Sequence, residues 1–279
     1  MNKKFFQILF FAFFFNVAFS QRVEFGPFVG GSYYIGDLNP KKHFLLTKPA
    51  AGAIYRYNFN PRFAFKGNVY FGEVEGDDHK SGYKPERNLS FKSGITEFST
   101  QIEFNFFPYI TGDKNYPATF YVFGGISMFR FNPKASYNGE WYPLQQLGTE
   151  GQGSTVYAER KPYSLLTFSI PFGLGIKFNI MKGVGMGIEY GLRRAFTDYL
   201  DDVSTTYANP DVVGSEHGAV AKALSDRSVP LNQTGVQRGN SKNKDWYSFA
   251  GVFVSIRLKM KKERCLGKPK RSFLEYESK

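Results

Sequence analysis

The sequence predicts an all-β protein: an eight-stranded antiparallel transmembrane β-barrel of the outer-membrane type, with long loops at one end and short turns at the other. Three observations predict it. The first is Thr96–Phe107, TEFSTQIEFNFF, in which Thr96, Phe98, Thr100, Ile102, Phe104 and Phe106 alternate with Glu97, Ser99, Gln101, Glu103 and Asn105. A period of two marks a strand with two opposed faces. Soluble strands usually run to about five or six residues, whereas about ten, tilted, cross a hydrocarbon layer. The second is an export signal. Lys3 and Lys4 precede the apolar run Phe5–Phe15, broken only by Gln7, and Ala18-Phe19-Ser20 is a small-x-small cleavage site. Residues 1–20 therefore read as a signal peptide and Gln21 as the first mature residue. That run is short of the ~20 residues of a spanning helix. The third is that no other apolar run is long enough for such a helix, so strands remain as the way to satisfy every backbone hydrogen bond in lipid.

The barrel is expected over residues 21–258, with these elements in order. The first strand is about Val23–Tyr34, with Val23, Phe25, Val29 and Tyr33 on one face and Glu24, Gly26, Gly30 and Ser32 on the other; Gly36–Pro40 then opens a loop. The second, Ala50–Phe59, sets Ala51, Ala53, Tyr55, Tyr57 and Phe59 against Arg56 and Asn58, and Asn60-Pro61 turns it back. The third, Phe63–Phe71, opposes Phe63, Phe65, Val69 and Phe71 to Lys66 and Asn68; Glu73–Asn88 reads as a polar loop. The fourth is Thr96–Phe107. A short turn over Pro108–Pro117 leads to the fifth, Ala118–Phe131, whose two faces are both apolar. After the long loop Asn132–Pro162 comes the sixth, Ser164–Phe178, with Leu166, Phe168, Ile170, Phe172, Leu174, Ile176 and Phe178 on one face. The seventh, Val184–Phe196, sets Met186, Ile188, Tyr190 and Leu192 against Gly185, Gly187, Glu189, Gly191 and Arg193. The longest loop, Thr197–Lys244, precedes the eighth strand, Asp245–Leu258. Long and short connections alternate, as in barrels with long external loops and short periplasmic turns. That places the loops outside the cell and both barrel ends in the periplasm of a Gram-negative outer membrane. The competing fold, a soluble sandwich or lipocalin-like barrel, predicts shorter strands with polar outer faces.

Composition agrees. Phe (31), Tyr (18) and Gly (29) are abundant, which suits aromatic belts and close-packed strands. The net charge is +12, and nine Lys/Arg against three Glu from Arg257 onward place half of it in the last 23 residues. A basic segment suits nucleic acid, anionic lipid or an acidic protein; export excludes nucleic acid and leaves outer-membrane lipid and periplasmic proteins.

The inward set contains Arg56, Lys66, Glu97, Glu103, Lys177, Glu189 and Arg193. Eight strands leave an interior just wide enough for side chains. Opposite charges there should pair, because an unpaired buried charge is costly. This reads as a salt-bridged plug, with an ion path as the alternative. His43, His79 and His217 all fall in loops without a catalytic pattern, so neither an enzyme nor a cofactor is expected. Asp198, Asp201 and Asp202 read as solvated loop acids, with Ca²⁺ binding as the lesser alternative because no EF-hand spacing is present.

Residues 259–279 form a basic tail, expected in the periplasm. Cys265 is the lone cysteine, and Lys261, Lys262, Arg264 and Lys268 around it favour thiolate chemistry; a free thiol or an intermolecular disulfide follows. The tail ends in Phe273, Leu274 and Tyr276, which favours partner docking over an idle segment or one resting on anionic headgroups.

GGSYYIGDLNP at Gly30–Pro40, YRYNFNPR at Tyr55–Arg62, NLSFKSGITEFSTQIEFNFFPY at Asn88–Tyr109 and YVFGGISMFRFNP at Tyr121–Pro133 resemble the PorG-like (DUF6089-type) outer-membrane barrels of the type IX (Por) secretion system. The resemblance runs from the first strand to the seventh and is weakest over Thr197–Lys244. It implies a noncatalytic barrel that touches the periplasmic ring of the lipoprotein PorK and its partner PorN and anchors that ring beneath the outer membrane. No residue-level binding motif carries over. The competing class is an independent barrel: a channel, an adhesin or a rim enzyme. About 20 residues after the last strand are too few for a peptidoglycan-binding domain.

Overall fold

A computed structural model describes residues 23–258. Its strands are β1 (Val23–Ile35), β2 (Lys48–Asn58), β3 (Phe63–Asp77), β4 (Ser90–Asn105), β5 (Ala118–Arg130), β6 (Pro133–Tyr137), β7 (Glu140–Pro143), β8 (Leu166–Met181), β9 (Val184–Ala195) and β10 (Trp246–Arg257). Eight of them follow one another in the order β3-β2-β1-β10-β9-β8-β5-β4, and β4 pairs back onto β3 from Phe63↔Phe104 to Asp77↔Ser90. Every neighbour is antiparallel, so the described fold is a closed eight-stranded antiparallel barrel. Closure leaves no unpaired edge in the ring, the condition for strands to live in lipid. Among the described residues no helix is long and apolar enough to cross a membrane.

The period-2 alternation places apolar side chains outward. On β8 all of Leu166, Phe168, Ile170, Phe172, Leu174, Ile176, Phe178 and Ile180 are exposed. Phe98 and Ile102 on β4, Phe25 and Val29 on β1, and Val252 and Ile256 on β10 are exposed likewise. The structure also separates the two faces of β5: Phe120, Val122, Ile126 and Met128 point out, while Tyr121, Phe123 and Phe129 are buried inside. Hydropathy cannot make that distinction, because a narrow lumen is filled with rings as well as charges. The inward rings need space on the facing strands. A Cβ on Gly175 would lie 2.5 Å from the Tyr121 ring, and one on Gly191 would lie 2.8 Å from the Phe123 ring.

The loop end departs from the sequence reading. Glu73–Asn88 is not all loop: β3 continues to Asp77, paired through Val74↔Ser93 and Glu75↔Lys92. Its outer face changes from Val69 and Phe71 to Glu73 and Glu75, and Glu75 pairs with Lys48 and Lys80. A sixteen-residue strand such as β4 is about 50 Å long at ~3.3 Å per residue, so even tilted it overshoots an apolar band ~25 Å tall; the overshoot stands in water and turns polar. A short helix, α1 (Asp78–Ser81), follows, capped by the Asp77 carboxylate on the Lys80 N–H (2.9 Å). Asn132–Pro162 carries the β6–β7 hairpin, which pairs with β4 at Lys92 and Ser93. Lys92 stacks on Trp141 of that hairpin with Nζ 3.7 Å from the ring centre. Thr197–Lys244 carries α2 (Pro210–His217), capped by Asn209, and α3 (Ala219–Ser225). Tyr33, expected on the apolar outer face, is buried: the 36–47 loop folds back so that Phe44 and His43 pack on its ring. Leu38, Val74, Leu89, Phe91, Leu200, Val203 and Leu224 extend the core up between the loops.

Candidate functional site

The residues with functional chemistry fall into two buried clusters, one within the lumen and one beneath the loops. In the lumen, β4 brings in Glu103 and β2 brings in Arg56. The Arg56 fork donates to both oxygens of Glu103, at 2.8 and 3.0 Å, and its third arm reaches Glu24 at 2.9 Å. Lys177 of β8 lies 2.9 Å from Glu103, and Lys66 of β3 lies 3.4 Å from it. Lys66 also donates to Glu189 of β9, which accepts the Tyr121 hydroxyl at 2.6 Å. Nearer the loops, Arg193 Nε lies 3.2 Å from Glu97, which accepts from the Tyr247 hydroxyl at 2.8 Å. The structure thus gathers Arg56, Lys66, Glu97, Glu103, Lys177, Glu189 and Arg193 inside the barrel, each almost fully buried. Each cation also faces a ring: Arg56 at Phe253 (5.1 Å), Lys66 at Phe123 (4.0 Å), Lys177 at Tyr121 (4.4 Å) and Arg193 at Phe249 (4.9 Å). Cation–π contact adds to the ion pair where water is excluded.

Glu24 is the member that sequence reasoning left out of this network. It sits beside Arg56 in register and accepts from Asn58 (2.7 Å) and Thr111 (2.6 Å). Its inward parity was the available signal. Chemically the arrangement is a filled plug: paired charges and stacked rings occupy the bore.

The second cluster overturns the expectation that Asp198, Asp201 and Asp202 are solvated; all three are buried. The loops supply their partners. Tyr34 donates to Asp201 and, at 3.3 Å, to Asp245. Asp202 accepts from Thr149 and, at 2.7 Å, from Tyr163. Asp198 accepts from Ser204 at 2.7 Å. Glu150 accepts the Ser204 and Thr205 N–H groups, each at 2.9 Å, and pairs with Arg238 at 3.1 Å. Arg87 ties three loops together: it pairs with Asp78 (2.6 Å) and donates to the carbonyls of Arg238 (2.7 Å) and Asp37 (2.8 Å). Burial pushes the Asp198 carboxyl up to about 7, with Asp37 adding to the rise against the Ser204 hydrogen bond. Burial raises Asp202 to about 6 against the pull of Arg238. Asp201 and Asp245 are raised well above the usual carboxylate range by burial and by neighbouring carboxylates.

Among the described residues no group of three or more His, Cys, Asp or Glu is arranged to hold a metal ion. The histidines lie apart: His43 bonds Tyr33 (2.9 Å), His79 bonds Asn88 (3.1 Å), and His217 lies against Gly148. Lys261, Lys262, Arg264, Cys265 and Phe273 of the tail, and the signal peptide, lie outside the described residues.

Three solved structures similar to this chain are barrels of low sequence identity. Neisserial surface protein A aligns at a TM-score of 0.42 and 8% identity, over 85% of this chain and 97% of its own. The attachment invasion locus protein Ail of Yersinia pestis, solved with the heparin analogue sucrose octasulfate, aligns at 0.39 and 10%, over 85% and 99%. The outer membrane protein OprG from Pseudomonas aeruginosa aligns at 0.38 and 9%, over 87% and 100%. The search of curated proteins finds no match. A family profile described as a domain of unknown function, DUF6089, matches residues 3–266. The chain belongs to the DUF6089 family.

Proposed function

We propose that this chain is an outer-membrane barrel, with its loops outside the cell and its strand ends in the periplasm, that serves as a noncatalytic component of a type IX protein-secretion machine. Its role is to dock or anchor the periplasmic PorK/PorN ring. The observation that carries this reading is the pairing of an apolar outer wall with a bore filled by its own ion pairs, which suits a barrel that holds a place in a membrane better than one that passes solute. The motifs from Gly30 to Pro133 support the secretion role by resemblance. The turn end supports docking. Val23 and Leu258, the first and last described residues, meet there, with the Leu258 N–H on the Val23 carbonyl at 2.9 Å. Beside it a cleft of about 610 Å³ is lined by Lys114, Lys182, Arg257, Ile180 and Met181. Clustered charge guides encounter with an acidic partner surface, and apolar anchors hold it.

The test is recovery of partners from detergent-solubilised outer membranes, identified by mass spectrometry, with the full-length chain, a chain lacking Arg264–Lys279, and Cys265→Ser on non-reducing gels. The expected result is loss of ring proteins from the truncated chain and loss of any disulfide-linked adduct from the Cys265 variant. A truncated barrel that remains heat-modifiable and recovers the same partners in the same yield ends the docking role of the tail. Steady, large conductance in planar bilayers supports a channel instead.

A further inference from the structure

On the outer wall at the loop end, Ile35 of β1, Trp246 of β10 and Arg194 of β9 stand side by side in register. Trp246 packs edge-on against Phe172 of the apolar wall at 5.9 Å and Ile170 continues the row in register, so the row stands in the upper part of the apolar surface, with Phe168 and Phe196 exposed beyond it. Above it the loops leave a cleft of about 440 Å³ lined by Lys84, Arg194, Lys242 and Lys244, with Asp37 and Trp246. Four cations face one carboxylate there. That carboxylate is engaged, since Asp37 accepts the Asn240 N–H at 2.7 Å. None of the four cations makes a close ion pair among the described residues: Lys84 lies 5.6 Å over the Tyr83 ring and attracts Asp37 only at longer range, and Lys244 donates to the Ser241 carbonyl at 3.5 Å and attracts Asp198 likewise. In the lumen each cation has a carboxylate in direct contact, whereas here four cations share a lining with one carboxylate, so positive charge is in excess.

We propose that this cleft binds the phosphate of a phosphorylated glycolipid headgroup in the outer leaflet. The Arg194 fork and the lysine ammoniums are the donors a phosphate needs. The volume suits a sugar-sized headgroup. Ile35 and Trp246 line the cleft and Trp246 meets Phe172 of the wall, along which the acyl chains of such a lipid would run, and tryptophan is favoured at such an interface. A free phosphate has no use for that apolar floor, which selects the lipid as its source. The inference rests on the proposed membrane placement only for which leaflet is met; binding in detergent tests the site itself.

The experiment uses purified full-length protein in detergent, titrated with diphosphorylated lipid A and with its dephosphorylated form, read by native mass spectrometry and Trp fluorescence. The diphosphorylated form should bind ~10-fold or more tightly than the dephosphorylated one, as expected when charge-assisted hydrogen bonds are lost. The double variant Arg194→Ala/Lys244→Ala should lose a similar factor, and Arg194→Lys should recover part of it. The turn-end variant Lys114→Ala/Lys182→Ala, with the same charge change, should bind as the parent. Equal binding of the two lipid forms, or an unchanged double variant that keeps the parent's heat-modifiable band, overturns the site. An equal loss in the turn-end variant reduces it to net charge. Competition by micromolar inorganic phosphate makes it a free-phosphate site and overturns the lipid. A Ser215→Cys label that proves unreactive on intact cells overturns the membrane orientation while leaving the binding result standing.

Discussion

In the lumen, Glu24, Glu97, Glu103 and Glu189 face Arg56, Lys66, Lys177 and Arg193, one cation for each carboxylate. Beneath the loops, Glu150 and Asp202 pair with Arg238 and Asp78 takes up Arg87, while Asp37, Asp198, Asp201 and Asp245 crowd one another. Both regions bury ionisable side chains, and they differ in charge balance. In the first, charges neutralise one another within the strand framework. In the second, carboxylates crowd one another, so part of the cluster is closed by protons and hydroxyls. The bore is thus a fixed element of the barrel and the loop cap a conditional one.

The sharpest way to break this contrast is to unbalance the lumen. Glu103→Gln leaves Arg56, Lys66 and Lys177 converging on a neutral amide. Removing one side of a buried pair costs about 3–5 kcal/mol, so the urea midpoint of the detergent-folded barrel should fall clearly; an unchanged midpoint would show that the network carries no stability. The cap should respond instead to pH. Folding raises Asp202 to about 6 and Asp198 to about 7. A raised acid binds its proton more tightly in the folded state, so its contribution is complete below the unfolded value of about 4 and is lost as pH rises through the folded value. Hydrogen exchange over residues 197–244, corrected for intrinsic rate, should speed up between pH 5 and 8 while the strand amides do not change, and Asp198→Asn should flatten that response. A pH-independent cap, or strands that loosen with it, refutes the division. The smallest effect belongs to the exposed pair Asp211–Lys222, which joins α2 to α3 and is 80% and 54% exposed. Lys222→Ala should shift stability by ~0.5 kcal/mol or less, and a larger loss would mean that the loop helices are coupled to the barrel.

What was legible in the sequence is what the membrane pattern imposes. Phe98 and Ile102 outward force Glu97, Gln101 and Glu103 inward, so parity alone names most of the lumen. Glu24 obeys the same parity but stands near the start of its strand, and its value depends on Arg56 being its neighbour across the sheet, which one strand does not reveal. The extension Glu73–Asp77 was missed for a related reason. Once a strand leaves the apolar layer its outer residues become polar, and the alternation that announced it disappears. The loop acids were misread because their partners are remote: Asp202 meets Arg238 and Tyr163 through the fold, from 36 and 39 positions away. The helix Pro210–His217 carries a single buried residue, Val213, too little for a periodic signal.

The apolar wall is not the same height all round. On β8 it runs from Leu166 to Ile180, whereas on β3 it runs from Phe63 to Phe71 before Glu73 and Glu75 take over. At ~3.3 Å per residue and a tilt of ~40°, these spans rise by about 35 Å and about 20 Å. Surrounding lipid must stretch on one side and thin on the other, or the barrel must lean, at a cost of fractions of a kcal/mol per Å of mismatch. Either response gives the molecule a front and a back within the plane of the bilayer.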